Sequence, residues 1–274
     1  MKILLTNDDG IFAEGINFLE ETIKPLGDIY TVAPNGNRSC SAHSMSFHKR
    51  IYFERLNKQK YSLDAFPVDC VFAALKGFFH DVDFDLVLSG INHGANVGTD
   101  VFYSGTVSAA FRAAEEGIDS IAFSSARAVP PFIDSSFSDL IIKIASIFLE
   151  KKDVIKQRAI KYTKEKFSYY QKRNLNNISV ILNVNFPDFT KQPSNNIFAT
   201  ILEPRLYDDD VVFENCTRED QEGYFEFIGK LSEKDSFENT DLYAIKKGNI
   251  SISPFFYILP GMLLLIPEAI EGIF

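Results

Sequence analysis

Three apolar residues of strand type, Ile3 to Leu5, run without a break into Thr6-Asn7-Asp8-Asp9-Gly10. Behind that turn Ile11, Ile16, Leu19 and Ile23 recur at helical spacing. Asp28 to Ala33 is a second strand, closed by Pro34-Asn35-Gly36-Asn37. Strand, helix and strand inside the first 33 residues make the βαβ unit of a parallel sheet. No Gly-x-Gly-x-x-Gly follows the first strand and no Walker-type Gly-Lys-Ser/Thr occurs, which disfavours an ordinary dinucleotide fold and a P-loop NTPase.

In an open α/β sheet the Asp8-Asp9 turn lies at the carboxyl end of a strand, where such folds bind ligands. Adjacent carboxylates there repel each other and lose solvation, so water must reach them or a cation must neutralise them. Hard oxygen ligands of this kind suit Mg²⁺, Mn²⁺ or Ca²⁺. The same two residues also read as an N-cap for the following helix. This stretch leaves both readings open.

At 274 residues with 46% apolar side chains, the chain is one large folded domain, or one domain with an appendage. A net charge of −9 argues against general binding of nucleic acid or of an anionic membrane. Cys40, Cys70 and Cys216 are few, odd in number and widely spaced, so neither a disulfide framework nor a zinc pairing is expected. The longest apolar run, Phe255 to Pro267, is broken by Pro260-Gly261 and too short for a bilayer; it reads as a buried strand pair with a turn. The first residues do not resemble a signal peptide, and a cytoplasmic protein is expected.

Further along, Ser46 to Arg55 and Tyr61 to Ala65 read as extended, a hairpin off the main sheet, and Val68 to Phe79 as a short helix. Asp85 to Ser89 is a third parallel strand. It empties into Ser89-Gly90-Ile91-Asn92-His93-Gly94-Ala95-Asn96-Val97-Gly98-Thr99-Asp100, whose glycines let the backbone approach a ligand. Tyr103-Ser104-Gly105-Thr106 then opens a helix from Val107 to about Glu116, a start that offers free N–H groups and hydroxyls to an anion, or that simply caps a helix. Asp119 to Phe123 is the next strand and Asp134 to Leu149 the next helix. The stretch 151–177 is strongly basic and is expected as a solvated helix or surface insertion. Ile178 to Val184 restores the strand pattern. Beyond Glu203 the chain is acidic and extended, with short strands at Tyr224 to Ile228, Asp241 to Ile245 and Asn249 to Ser253. Such a tail should dock on the main domain or on a neighbouring subunit. The domain reading is therefore a catalytic unit at 1–204 and an extension at 205–274.

Three loops converge in this reading: Asp8-Asp9, the polar loop around Ser39, and Asn92 through Thr106. Carboxylates, a hydroxyl and an amide oxygen can hold a hard divalent ion, and the glycine-rich amides with Ser104-Gly105-Thr106 can hold a phosphate beside it. A metal-activated water would then hydrolyse a phosphomonoester. His43 and His93, in two of the loops, are candidates for proton transfer to the leaving group, and Asp8 or Asp9 for a base.

The chain resembles the SurE family of stationary-phase survival proteins. The likeness rests on Leu5-Thr6-Asn7-Asp8-Asp9-Gly10, Val32-Ala33-Pro34 with Asn37-Arg38-Ser39, and Ser89-Gly90-Ile91-Asn92. It continues through Asn96-Val97-Gly98, Asp100, Tyr103-Ser104-Gly105-Thr106-Val107, Thr240-Asp241, Ala244, Gly248 and Ser251-Ile252-Ser253-Pro254. The resemblance implies a Rossmann-like α/β fold, a mostly parallel sheet with helices on both faces, and a β-rich C-terminal segment exchanged in homodimers or homotetramers. It implies one divalent metal ion per subunit (Mn²⁺, Mg²⁺ or Co²⁺) on Asp8, Asp9, Ser39 and Asn92, with Asn96, Ser104, Gly105 and Thr106 lining a phosphate pocket. The implied substrates are nucleoside 5′-monophosphates, with 3′-monophosphates and short polyphosphate as further possibilities. Two features depart from the family pattern: Ala65-Phe66-Pro67 stands where Gly-Thr-Pro is usual, which touches base preference, and the basic stretch is longer than the usual linker. The rival readings are a haloacid-dehalogenase-type phosphatase that forms an aspartyl-phosphate, for which two adjacent aspartates are the wrong spacing, and a nucleotide-binding protein without turnover.

Overall fold

The computed structural model describes residues 1–126, 135–171, 175, 177–190, 194, 196–204, 207–219, 222–231, 236–258 and 262–274. In chain order its elements are β1 (Lys2–Thr6), α1 (Glu14–Ile23), β2 (Asp28–Pro34), β3 (Phe53–Arg55), β4 (Lys60–Leu63), α2 (Pro67–Ala73), β5 (Leu86–His93), α3 (Gly105–Glu115) and β6 (Ser120–Ser125). There follow α4 (Ser135–Lys166), β7 (Ile178–Phe186), β8 (Ile197–Ala199), β9 (Tyr207–Glu214), β10 (Tyr224–Leu231), α5 (Asp241–Lys246), β11 (Ile250–Ile258) and β12 (Met262–Leu265).

β1 lies between β2 and β5 and runs parallel to both, with Leu4 opposite Tyr30 on one side and Val87 on the other. Alternation along the strand sends its apolar residues to two cores. Ile3 and Leu5 pack with Ile16, Leu19 and Ile23 of α1 and Ile141, Ile144 and Phe148 of α4. Leu4 packs with Cys70 and Val71 of α2 and Ala109 and Ala113 of α3. Helices therefore cover both faces, and the fold is α/β with a mostly parallel sheet. From β1 the sheet extends one way through β2 to β4 and the other way through β5 and β6 to β7. The loops leaving β1 and β5 thus diverge at the carboxyl edge, which is where doubly wound sheets open a crevice.

Several expectations change. The helix expected to end at Leu149 continues to Lys166 as α4. Ile155, Ala159 and Thr163 are fully buried at four-residue spacing, so the basic residues up to Lys166 form the wet side of a core helix. Lys156 reaches the buried Asp119 at 2.8 Å. Asp134 and residues 172–174, also part of those expectations, lie outside the described residues. Asp241 to Ile245 is a helix rather than a strand, because Thr240 caps it: its hydroxyl accepts from the Tyr243 amide at 3.3 Å. The hairpin of β3 and β4 joins the main sheet, with β4 parallel to β2 and Val32 opposite Tyr61. Tyr61 is buried there and stacks on Phe78 at 4.2 Å. The strand expected at Asn249 to Ser253 continues into the apolar run as β11, antiparallel to β7, and that run still forms the expected pair of strands, with Phe255 opposite Leu265 of β12; Pro260-Gly261 lies outside the described residues. No helix among the described residues is long and apolar enough to cross a membrane.

Candidate active site at the carboxyl edge of the sheet

The turn after β1 is closed by its own asparagine. The Asn7 side chain donates to the Gly10 carbonyl at 2.9 Å and accepts from the Gly10 amide at 3.2 Å. Gly10 has φ +108°, and a Cβ there would stand 3.0 Å from Gly36 backbone, so the close approach of the two loops needs a glycine.

This turn sets Asp8 against the start of α3, where it is only 3% exposed. Its carboxylate accepts from the Thr106 hydroxyl and from the Thr106 and Asp8 backbone amides. Burial, reinforced by the neighbouring Asp9 charge and opposed by those hydrogen bonds, pushes the Asp8 carboxyl up to about 6. Burial also raises Asp9, against the opposing pull of His93, whose backbone amide donates to Asp9 at 3.4 Å. A cation between them would reverse both shifts.

Two short hydrogen bonds bring the second loop in. The Arg38 amide donates to the Asp8 carbonyl at 2.7 Å, and the Ala42 amide donates to the Tyr103 carbonyl at 3.0 Å. Between them Ser39 is exposed, its amide held by Asn37 Oδ1 at 2.7 Å. Ser41 Oγ is buried with no hydrogen-bond partner among the described residues. It flanks Gly105 together with Asp8: a Cβ on Gly105 would meet Ser41 Oγ at 2.7 Å and Asp8 Cβ at 2.8 Å.

The third segment starts inside β5, which runs on to His93 with its register against β6 shifted between Ser89 and Asn92, an irregularity of the kind that re-aims a side chain beside a site. Asn92 donates its amide to the Gly94 carbonyl at 2.9 Å, which leaves its own carbonyl oxygen for another partner. Asn96 is held on three sides. Its backbone amide donates to Asn185 Oδ1 at 2.7 Å, its carbonyl accepts from Asn183 and Asn185, and its side-chain amide donates to Ser124 at 2.8 Å. Ser104 caps α3, accepting from the Val107 amide at 3.1 Å.

The loops enclose a cleft of about 850 Å³. Of the residues expected from sequence, Asp8, Ser39, Asn92, Asn96 and Ser104 border it, with His93 and Tyr103. Asp9, Gly105 and Thr106 stand behind that lining: Thr106 holds Asp8, and Gly105 lets α3 approach it. His43 does not border the cleft; it lies 3.8 Å from Glu115, and burial lowers its pKa. Phe66 does not border it either, and its amide donates to Asp69 Oδ2 at 3.0 Å at the head of α2. The family model for the survival protein SurE matches residues 3–209.

This chain belongs to the SurE family.

The SurE relatives include a protein named 5′-nucleotidase SurE from Caldanaerobacter subterraneus subsp. tengcongensis, 35% identical over 94% of this chain and 92% of its own. Another of that name, from Clostridium botulinum, is 32% identical over 100% of this chain and 99% of its own. The crystal structure of the SurE protein from Aquifex aeolicus superposes with a TM-score of 0.69 at 29% identity, covering 93% of this chain and 92% of that one.

No group of three His, Cys, Asp or Glu side chains that could hold a metal gathers among the described residues of this SurE chain. The donor set that sequence reasoning singled out is of another kind: two carboxylates with the neutral oxygens of Ser39 and Asn92. That set fits a hard divalent ion that keeps several waters, and the unpartnered Ser41 Oγ beside Asp8 adds one more oxygen. Ser41, Asn183 and Asn185 escaped the sequence reading, which saw Asp241 only as part of the family pattern. Two asparagines two apart in the buried strand Ile178–Phe186 were the available signal, since polar side chains in such a strand need partners.

Proposed function

We propose that this chain is a metal-dependent nucleotidase that hydrolyses the phosphate monoester of nucleoside 5′-monophosphates. The observation that carries the reading is Asp8: a carboxylate almost wholly buried at the floor of an open cleft, held at the N-terminus of α3 between Thr106 and Asp9. A structural carboxylate in that position would be matched by a fixed cation, yet the charged group that acts on Asp8 is the second carboxylate, Asp9. The name that the relatives carry supports the same reaction class.

Asp8, Asp9, Ser39 and Asn92 would hold one Mn²⁺, Mg²⁺ or Co²⁺ per subunit. When bound, the cation supplies charge to the phosphoryl oxygens and acidity to a water. The chain's own residues do the rest. Thr106 keeps Asp8 oriented with one oxygen engaged. Asn183 and Asn185 fix the Asn96 backbone beside the phosphate position, and Ser104 and the first turn of α3 bring partial positive charge to it. His93, whose residue borders the cleft, would hand a proton to the departing ribose oxygen. The few cysteines support work in a reducing cytoplasm.

Phosphate release from 5′- and 3′-nucleoside monophosphates and short polyphosphate tests the reading, with Mn²⁺ or Mg²⁺, with EDTA, and with Asp8→Asn. The expected result is release from 5′-monophosphates that requires metal and falls at least about a hundredfold in the variant. Metal-independent release, or an Asp8→Asn protein as active as the parent, would overturn it.

A further inference from the structure

The residues described so far account for the phosphate end of the cleft. A cleft of about 850 Å³ is far larger than a phosphate, and its wall is completed by Phe227 and Gly229 of β10, remote in sequence from every loop of the site. The hairpin of β9 and β10 pairs in register with Phe225 opposite Phe213 and Phe227 opposite Val211. Phe225, Phe227 and Gly229 alternate onto one face. Phe225 meets Phe213 at 6.0 Å and Phe227 at 5.4 Å, edge to face, so the ring of Phe227 is braced from behind. Two residues on, Gly229 borders the same cleft without a side chain. Phe227 is nevertheless 79% exposed. An apolar ring braced by its neighbours, bordering a polar cleft and left in water, is suited to cover by a flat aromatic ligand.

We propose that Phe227 is the nucleobase platform of this enzyme: the base of a nucleoside monophosphate stacks on its ring while the phosphate lies against Asn96 and Ser104. The inference rests on the nucleotidase reading and deepens it. Because every base has a π-face, such a platform grips by stacking rather than by hydrogen-bond readout. It therefore accepts all four bases, with purines held more tightly than pyrimidines by their larger area.

The test compares AMP with ribose 5-phosphate, which keeps the phosphate and sugar and lacks the base. Turnover is measured in wild type, Phe227→Ala and Phe227→Tyr, and binding of both compounds by calorimetry. Phe227→Ala is expected to raise KM and Kd for AMP about tenfold with kcat little changed, and to leave ribose 5-phosphate unaffected; Phe227→Tyr should restore the AMP values. Equal losses on both compounds would show a structural role for the hairpin and overturn the platform, as would unchanged AMP binding in Phe227→Ala. Wild-type protein that binds AMP through Phe227 but turns over neither compound would uphold the platform and overturn the nucleotidase reading.

Discussion

At the scale of single residues, the site depends on one hydrogen bond that no substrate touches. Thr106 donates its hydroxyl to Asp8 and so favours the ionised carboxylate against burial and against Asp9. Thr106→Val removes that bond at nearly constant shape, which makes the metal-competent form of Asp8 harder to reach. Losing a partner that orients a ligating carboxylate costs about ten- to a hundredfold in metal affinity. Calorimetric titration with Mn²⁺ should show that loss in Thr106→Val and its recovery in Thr106→Ser. A folded Val variant with wild-type Mn²⁺ affinity would remove Thr106 from the site. The division of labour between Asp8 and Thr106 could not be read from the sequence. Adjacent aspartates and a Ser-Gly-Thr helix start were both visible, but a hydroxyl 98 positions away that faces the carboxylate rather than the cleft depends on how closely Gly105 lets α3 approach.

At the scale of elements, the sheet was legible wherever hydrophobic period and turn residues agreed. β1, β2, β5, β6 and β7 all appear where the apolar runs placed them. The reading failed where a tertiary partner decides. Leu242 to Ile245 suits either period, and the Thr240 cap makes it a helix. The second half of α4 read as a solvated helix or a surface insertion, and its place in the core went unseen because only Ile155, Ala159 and Thr163 mark its buried side among many charges. α5 also reaches the active-site loop: Asp241 accepts from the Gly98 amide at 2.7 Å, from Glu203 at 3.0 Å and from Leu242 at 2.8 Å. Despite these donors, burial pushes its carboxyl up to about 6, with Glu203 adding to the rise. An acid whose folded pKa lies above its unfolded value of 3.8 makes the folded state the better proton binder between the two. Its contribution to stability therefore declines as pH rises from about 4 to about 6, and is constant above. The size of that decline is on the order of 3 kcal/mol. Asp241→Asn cannot titrate, so the stability difference between wild type and variant, measured by urea unfolding in EDTA at pH 4.5 and pH 7, should shrink toward the higher pH. A difference independent of pH would show that Asp241 is ionised throughout.

At the scale of the whole molecule, the β9–β10 hairpin is the element that a single chain does not explain. Among the described residues it pairs with no strand of the main sheet. Phe225 and Phe227 lie on one face, the face that reaches the cleft, while Tyr224, Ile228 and Val212 lie exposed on the other. Glu214, Val212's partner Glu226 and Asp210 share that outward face, so its apolar side chains are each paired with an acidic one. A two-stranded hairpin with exposed apolar side chains on both faces is marginal in water alone, and it is stabilised when something covers it. We infer that the outward face is covered by a second copy of the chain, as in a homodimer or homotetramer, and that within the expected extension 205–274 the hairpin is the part the copies share, since β11 is built into this chain's own sheet against β7. Ile228→Asp tests this without touching Phe227, because the two side chains point to opposite faces. Sedimentation equilibrium should give a dimer or larger for wild type. For Ile228→Asp it should give a dissociation constant raised by about tenfold or more, the effect of placing a charge on a contact that excludes water. The far-ultraviolet circular dichroism should be unchanged, since the sheet core from β1 to β7 does not include the hairpin. A wild-type protein that stays monomeric at every concentration would sink the inference.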